Sequence, residues 1–147
     1  MVADLIAEDA EGHLVLIGEI KTNQLNPGLL AKFIVYLSEN APHARFIMIA
    51  DADLIRFWSR DDLDPTRPLL ALNTGEILSH YDLRGRRTGF EGFYMATLID
   101  SWLDDLNTRW KHENPPGSSE MERIGLAPLL AGGITRKEVA LGSDAVC

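Results

Sequence analysis

The stretch that decides the fold is residues 1–23, MVADLIAEDAEGHLVLIGEIKTN. Two apolar runs, at 3–9 and 13–21, are separated by Asp9-Ala10-Glu11-Gly12, which has Asp at the first and Gly at the fourth position of a type I turn. The pattern predicts a β-hairpin. The second run is apolar on both faces until its end, which is typical of a central strand covered by other elements on both sides.

Charged residues lie at the open end of this predicted hairpin. Glu19 and Lys21 flank Ile20, so they point to the same face of the strand, and Asp4 lies near the start of the neighbouring strand. Because burying an unpaired charge is costly, charges that end an apolar central strand need a partner or a function. Two carboxylates and a lysine on one face predict a site for a hard divalent cation and a phosphate.

This joint site depends on the register of the hairpin. If Asp4 pairs with Glu19, the two carboxylates share a face of the sheet. A simple three-residue loop instead pairs Asp4 with Gly18, and this places the two carboxylates on opposite faces. The sequence leaves both registers open, and only the first one allows a common metal site.

The remaining elements predict an α/β (α+β) fold in which a mixed central sheet is flanked by helices. In chain order they are a helix beginning at Asn26-Pro27, strands at 45–50 and 54–58, a short helix at 74–81, a long helix at about 90–110 and a capped turn at 119–122. A Pro-rich break, Asn114-Pro115-Pro116-Gly117, separates the last two.

The composition of the chain limits the classes of protein to which it could belong. The chain has 147 residues, 46% of them apolar, which suffices for one globular domain with a real core. It contains no apolar run long enough to span a membrane and no leader-like segment, and its single cysteine, Cys147, fits a reducing, cytoplasmic setting. The net charge of −8 disfavours broad, sequence-blind binding to nucleic acid but allows a local basic groove.

The hairpin residues resemble a known family. Ala3-Asp4, a turn, and an apolar strand ending in Gly18-Glu19-Ile20-Lys21 are similar to the PD-(D/E)XK nuclease superfamily, the restriction-endonuclease-like fold, over about residues 3–58. The resemblance implies that Asp4 and Glu19 bind Mg²⁺ or Mn²⁺, that the Ile20 carbonyl is a further metal ligand, and that Lys21 is catalytic.

The implied function is Mg²⁺-dependent hydrolysis of phosphodiester bonds in nucleic acid, with DNA as the favoured substrate. The sequence does not distinguish an endonuclease from an exonuclease. The alternative is a catalytically inactive member of the same fold that serves as an interaction or assembly module, which the acidic net charge favours.

Nucleic-acid contacts are predicted outside the hairpin. Arg84, Arg86 and Arg87 form a basic loop, and the arginine geometry suits phosphate oxygens. Lys32, on the first helix, either points at the site or points into water.

Domain organisation and partners follow from the same resemblance. Residues 1–111 are assigned to a nuclease-like domain, and residues 112–147 to a partly ordered C-terminal extension. The helix that precedes the first strand in the family has almost no residues here, so the core lacks most of its first helix. We therefore expect a homodimer, another chain or the C-terminal segment to cover the apolar face of the first strands, formed by Leu5, Ala7, Leu14, Leu16 and Ile20.

The last part of the chain has little apolar surface. Beyond Gly133 the gain from burial is predicted to be too small to offset the entropy of ordering, about 1–2 kcal/mol per residue for the backbone. Removing residues 134–147 is therefore expected to leave thermal stability nearly unchanged, whereas removing residues 118–147 is expected to lower it.

Overall fold

The computed structural model describes residues 2–83 and 92–140 of the chain. Within these ranges the elements are β1 (Val2–Glu8), β2 (Leu14–Ile20), α1 (Pro27–Asn40), β3 (Phe46–Ala50), β4 (Leu54–Ser59), β5 (Leu70–Asn73), α2 (Thr74–Leu78), α3 (Gly92–Thr108), α4 (Ser118–Arg123), α5 (Ala127–Leu130) and β6 (Ile134–Ala140). The fold is α+β, as the sequence predicts.

The described strands form one sheet in the order β5-β4-β3-β2-β1-β6. The central pair, β2 and β3, is parallel, and the other pairs are antiparallel, so the sheet is mixed. Helix α1 makes the crossover that two consecutive parallel strands require. The predicted central position of β2 is confirmed, because all seven of its residues are buried.

Hydrogen bonds from capping groups stabilise both ends of helix α1. The side chain of Asn26 accepts a hydrogen bond from the N–H of Leu29 at 2.9 Å, and Pro27 occupies the first turn. At the other end, the Arg60 guanidinium donates to the carbonyl oxygens of Ala41 and Ala44 at 2.7 and 2.6 Å. A cation at a helix C-terminus is favourable because the carbonyl ends carry partial negative charge. These caps fix α1 across one face of the sheet.

Two apolar cores lie on the two faces of the sheet. Leu30, Ile34 and Leu37 of α1 pack with sheet residues that include Ile17 and Ile47. Helices α2 to α5 contribute to the core on the other face. Each large side chain buried in this way contributes about 1.5–3 kcal/mol. Among the described residues, no helix has both the length and the apolar composition to cross a membrane.

The apolar face of the first strands is covered by the chain itself. Leu5, Ala7, Leu16 and Ile20 are buried in the core that also contains residues of α3, α4 and α5. The sequence left open whether a second copy, another chain or the C-terminal segment covers this face. The C-terminal segment contributes to the cover, so this face gives no reason to expect a second copy. Leu14 is an exception, because the register shifts between Ala7 and Glu8 and Leu14 packs in the α1 core.

The expectation that residues beyond Gly133 lack regular structure is wrong for residues 134–140. These residues form β6, which pairs antiparallel with β1 from Val2↔Ala140 to Glu8↔Ile134. Arg136 forms an ion pair with Glu8, and Thr135 Oγ1 donates to Asp100 at 2.6 Å. The strand is held by ladder hydrogen bonds and polar contacts, which an estimate based on apolar burial alone misses.

Candidate metal centre

The hairpin register brings the two predicted carboxylates together. Leu5 pairs with Gly18 and Ile6 with Ile17, so Asp4 lies opposite Glu19 on the same face of the sheet. The tight connection helps to set this pairing, because Asp9 Oδ1 accepts hydrogen bonds from the N–H groups of Glu11 and His13, both at 2.9 Å. The register that a joint site requires is therefore the one found.

The side chains at this position form a compact polar group. Asp4 Oδ2 accepts a hydrogen bond of 2.7 Å from the N–H of Ile20. Lys21 Nζ lies 3.3 Å from Glu19 Oε1 and 5.2 Å from the centre of the Phe33 ring of α1. Glu19 is only 5% exposed, whereas the Lys21 side chain is 39% exposed. The structure thus places Lys21 at the solvent side of a buried carboxylate, as the sequence predicts for a shared face.

Glu19 has a strongly perturbed pKa. Burial is the largest cause, and a hydrogen bond with Asp4 and the Asp4 charge act in the same direction, so the pKa rises from its ordinary 4.5 to about 7. The nearby Lys21 ammonium opposes the shift. Burial and the neighbouring carboxylate thus disfavour the charged form of Glu19, and a bound cation would favour it.

This raised pKa predicts that the free energy of unfolding of the metal-free protein depends on pH. Between about pH 4.5 and pH 7 the unfolded chain releases the Glu19 proton while the folded chain keeps it, so the free energy of unfolding falls with rising pH and levels off above pH 7. Glu19→Gln is neutral at all pH values. In the presence of a chelator, the wild type is expected to lose roughly 2–3 kcal/mol of unfolding free energy relative to Glu19→Gln as the pH rises from 4.5 to 8.

Chemical denaturation at several pH values measures this difference. Glu122→Gln, at an exposed position on α4, is the matched control and is expected to follow wild type throughout. An equal pH dependence for wild type and Glu19→Gln would show that the Glu19 carboxyl titrates normally.

A third acidic residue, Asp51, fixes the backbone around the site. It is fully buried after β3 and accepts hydrogen bonds from the N–H groups of Leu25 and Leu54 and from Arg56 Nη1, each at 3.0 Å. Burial alone would raise its pKa, but these hydrogen bonds together hold the pKa of Asp51 below its ordinary value. Because Leu25 precedes α1, Asp51 ties the segment after Lys21 to the β3–β4 turn.

Asp51 was not singled out in the sequence analysis, so its link to the site was missed. The available signal was weak: an acidic residue directly after a fully apolar strand, followed five positions later by an arginine in the next strand. Strand register places Arg56 opposite Ile49, which in turn pairs with Glu19. Arg56 and Glu19 therefore belong to the same side of the sheet.

Of the predicted nucleic-acid contacts, only Lys32 lies among the described residues, and it does not join this group. Lys32 is exposed on α1 and, together with Ala31, Val35, Tyr36 and Glu39, lines a groove on the outer side of that helix. Among the described residues it makes no ion pair with Asp4 or Glu19. Arg84, Arg86 and Arg87 lie outside the described residues, so their predicted role stays a prediction.

Another titratable cluster lies at the end of α3. Buried Asp105 accepts hydrogen bonds from Tyr81 Oη at 2.6 Å and from the Lys111 N–H at 2.9 Å, and its Oδ2 lies 2.7 Å from His112 Nδ1. Burial and the Asp105 carboxylate raise the pKa of Tyr81 above its ordinary value. These contacts fasten the segment after α3 to the core and leave no acceptor oxygen of Asp105 without a partner.

The main cavities formed by residues 2–83 and 92–140 lie away from the carboxylate pair. A cavity of about 450 Å³ lies at the turn end of β1 and β2, at the end opposite Asp4 and Glu19. It is lined by Asp9, His13, Leu14, Val15, His43, Arg45 and Leu129. The candidate centre is therefore defined by its side chains rather than by a deep pocket.

The group fits a hard divalent cation that keeps much of its own hydration. The part of the chain that is described contains no cluster of three or more His, Cys, Asp or Glu side chains that could hold a metal ion. A cation at this position would therefore have only the two carboxylates as acidic ligands from this part of the chain. Mg²⁺ is commonly held by one or two carboxylates together with waters and substrate phosphate oxygens. Asp4 and Glu19 supply those carboxylates, and the Ile20 carbonyl lies on the backbone between Glu19 and Lys21.

Comparison with known proteins gives no further assignment: no family model, no curated protein and no solved structure matches this chain.

Proposed function

We propose that this protein is a Mg²⁺- or Mn²⁺-dependent nuclease that hydrolyses phosphodiester bonds in nucleic acid, with DNA as the first substrate to test. The observation that carries the proposal is the register of the first hairpin, which sets Asp4 opposite Glu19 with Lys21 Nζ 3.3 Å from the Glu19 carboxylate. The resemblance of these residues to the PD-(D/E)XK pattern supports the same function.

Each side chain has a distinct task in this proposal. Asp4 and Glu19 would hold the cation, with the Ile20 carbonyl as a further ligand. When bound, Mg²⁺ supplies positive charge that neutralises the phosphate oxygens. The Ile20 N–H fixes one oxygen of Asp4 at 2.7 Å and so orients its carboxylate.

Lys21 acts on the reacting groups. Its ammonium is close enough to the pair to orient the attacking water and to stabilise the negative charge that develops on the phosphate. The attacking water forms a new bond to phosphorus and gives up a proton to solvent, while the bridging P–O bond breaks. The leaving oxygen takes up a proton from solvent, so the products are a terminal phosphate and a hydroxyl. The ring of Phe33, whose centre lies 5.2 Å from Nζ, holds the ammonium on the α1 side of the sheet by a cation–π contact.

A catalytically inactive interaction module is the second candidate function. The net charge of −8 favours it, because long-range repulsion weakens binding to a polyanion. Cleavage of single- and double-stranded DNA and RNA with Mg²⁺ or Mn²⁺ discriminates between the two functions. Cation-dependent cleavage that is lost in Asp4→Asn supports the nuclease, whereas metal binding without cleavage of any of these substrates supports the module.

Metal binding itself is expected to stabilise the fold. At 100 times the dissociation constant a bound ion contributes about 2.7 kcal/mol, which corresponds to a rise in melting temperature of roughly 5–10 °C for a chain of this size. The affinity should increase from pH 6 to pH 8, because the Glu19 proton, with a pKa of about 7, must leave before the cation binds.

Thermal denaturation with and without Mg²⁺ or Mn²⁺ measures this rise in melting temperature. Glu19→Ala should abolish it, and Glu122→Ala, which removes an exposed carboxylate from α4, should retain it. A rise of equal size in Glu19→Ala would place the cation elsewhere.

A further inference from the structure

The outer side of α1 carries a stripe of exposed residues. Val35 is 53% exposed, Tyr36 44% and Leu29 40%, although large apolar side chains on a helix normally face the core. The opposite side of the same helix buries Leu30, Ile34 and Leu37. We call the exposed residues the outer stripe: Leu29, Lys32, Val35, Tyr36 and Glu39.

The outer stripe is shaped to receive another element. Lys32, Val35, Tyr36 and Glu39 follow the helical spacing that places side chains on one face. With Ala31 they line an open groove of about 380 Å³. The small side chain of Ala31 permits close approach of a second helix, and the exposed apolar surface supplies a driving force for association.

The charges of the outer stripe are complementary to those of an antiparallel copy of itself. If two α1 helices pair about a two-fold axis between Val35 and Tyr36, Val35 faces the partner's Tyr36. In the same arrangement Lys32 faces the partner's Glu39, and the symmetry forms this pair twice. Neither Lys32 nor Glu39 makes an ion pair in the described part of its own chain, so both charges are available to the partner.

We propose that the outer stripe binds a second copy of this chain, with the two α1 helices antiparallel about a two-fold axis. One lysine and one glutamate at symmetric positions fit this occupant better than a polyanion, because Glu39 repels phosphate. The proposal is independent of the proposed nuclease function, since it rests on the outer side of α1. One helix pair buries less than the roughly 800 Å² per partner of a standard interface, so we expect micromolar dissociation constants.

Charge exchange at the two positions tests this geometry. Sedimentation of the full chain from about 5 to about 500 µM should show concentration-dependent dimers. Lys32→Glu and Glu39→Lys each set like charges against each other twice, and each should weaken dimerisation at least about tenfold. Mixed in equal amounts, the two variants should associate again, because each chain then offers the charge that its partner needs.

The double variant Lys32→Glu/Glu39→Lys should also dimerise like wild type, and Glu122→Lys serves as a control for the change in net charge. The proposal is overturned by a wild type that stays monomeric over the whole range, or by single variants that dimerise as strongly as wild type. A monomeric wild type whose affinity for DNA falls in Lys32→Glu would instead assign the stripe to nucleic acid.

Discussion

Replacing Lys21 by methionine is expected to lower phosphodiester cleavage at least about 100-fold while leaving cation binding intact. Methionine keeps an unbranched side chain at this position and removes the ammonium, which lies 3.3 Å from Glu19 Oε1 and 5.2 Å from the centre of the Phe33 ring. Because Lys21 opposes the rise in the pKa of Glu19, its removal raises that pKa further, and the comparison is made well above pH 7. There Glu19 is ionised and keeps its place opposite Asp4, so the stabilisation by Mg²⁺ or Mn²⁺ should persist. The loss therefore belongs to the chemical step and not to metal binding.

Single-turnover cleavage beside thermal denaturation in the same metal concentrations separates these two effects. Lys21→Ala should behave like Lys21→Met in cleavage, with some further loss of stability because its side chain is shorter. Lys111→Ala, at an exposed lysine in the segment after α3, is the control and should cleave like wild type. Equal cleavage by wild type and Lys21→Met would remove Lys21 from the mechanism.

Removing residues 134–147 is expected to destabilise the protein severely. The truncation exposes the edge of β1, and it deletes the ladder with Val2–Glu8 and the contacts of Thr135 with Asp100 and of Arg136 with Glu8. Leu5, Ile6 and Ala7 are fully buried in that strand. A loss of at least about 4 kcal/mol, or roughly 10 °C in melting temperature, follows if the remaining chain folds at all.

A truncation after Ala140 is the matched control, because it retains every contact described for β6 and is expected to melt close to the full chain. Calorimetry or circular dichroism of the three proteins gives the comparison. If the truncation after Gly133 melts like the full chain, β6 contributes little to stability, and the original expectation from apolar content would be correct for stability.

Periodicity and turn chemistry predicted the central part of the fold. The type I turn residues, the apolar run of β2 and the Asn26-Pro27 cap all have local physical causes, and each element lies within a few residues of its expected bounds. β5 and β6 were not predicted. Leu70–Asn73 is short, and Ile134–Ala140 is polar on much of its length. Both strands form because they hydrogen-bond to a neighbouring strand, and local sequence patterns do not indicate such pairing.

The candidate site could be predicted because its residues lie in one hairpin. Strand alternation places Glu19 and Lys21 on one face, and the register of the hairpin decides whether Asp4 shares that face. The local sequence leaves only two registers open. Asp51 and Arg56 could not be assigned to the same place, since their relation to Lys21 depends on the long connection through α1 and on the parallel pairing of β2 with β3. The depth of burial that raises the pKa of Glu19 is likewise a property of the assembled layers.

The pairing of β1 with β6 joins the two ends of the described chain, and this has a consequence for synthesis on the ribosome. Asp4 is made well before residues 134–140, and its strand acquires its outer neighbour only after those residues have been translated. Closing a loop of this length is entropically costly and slow. A nascent chain therefore carries β1 as an open edge until residues 134–140 have been made, and the carboxylate pair reaches its final rigidity only when β6 adds to the sheet.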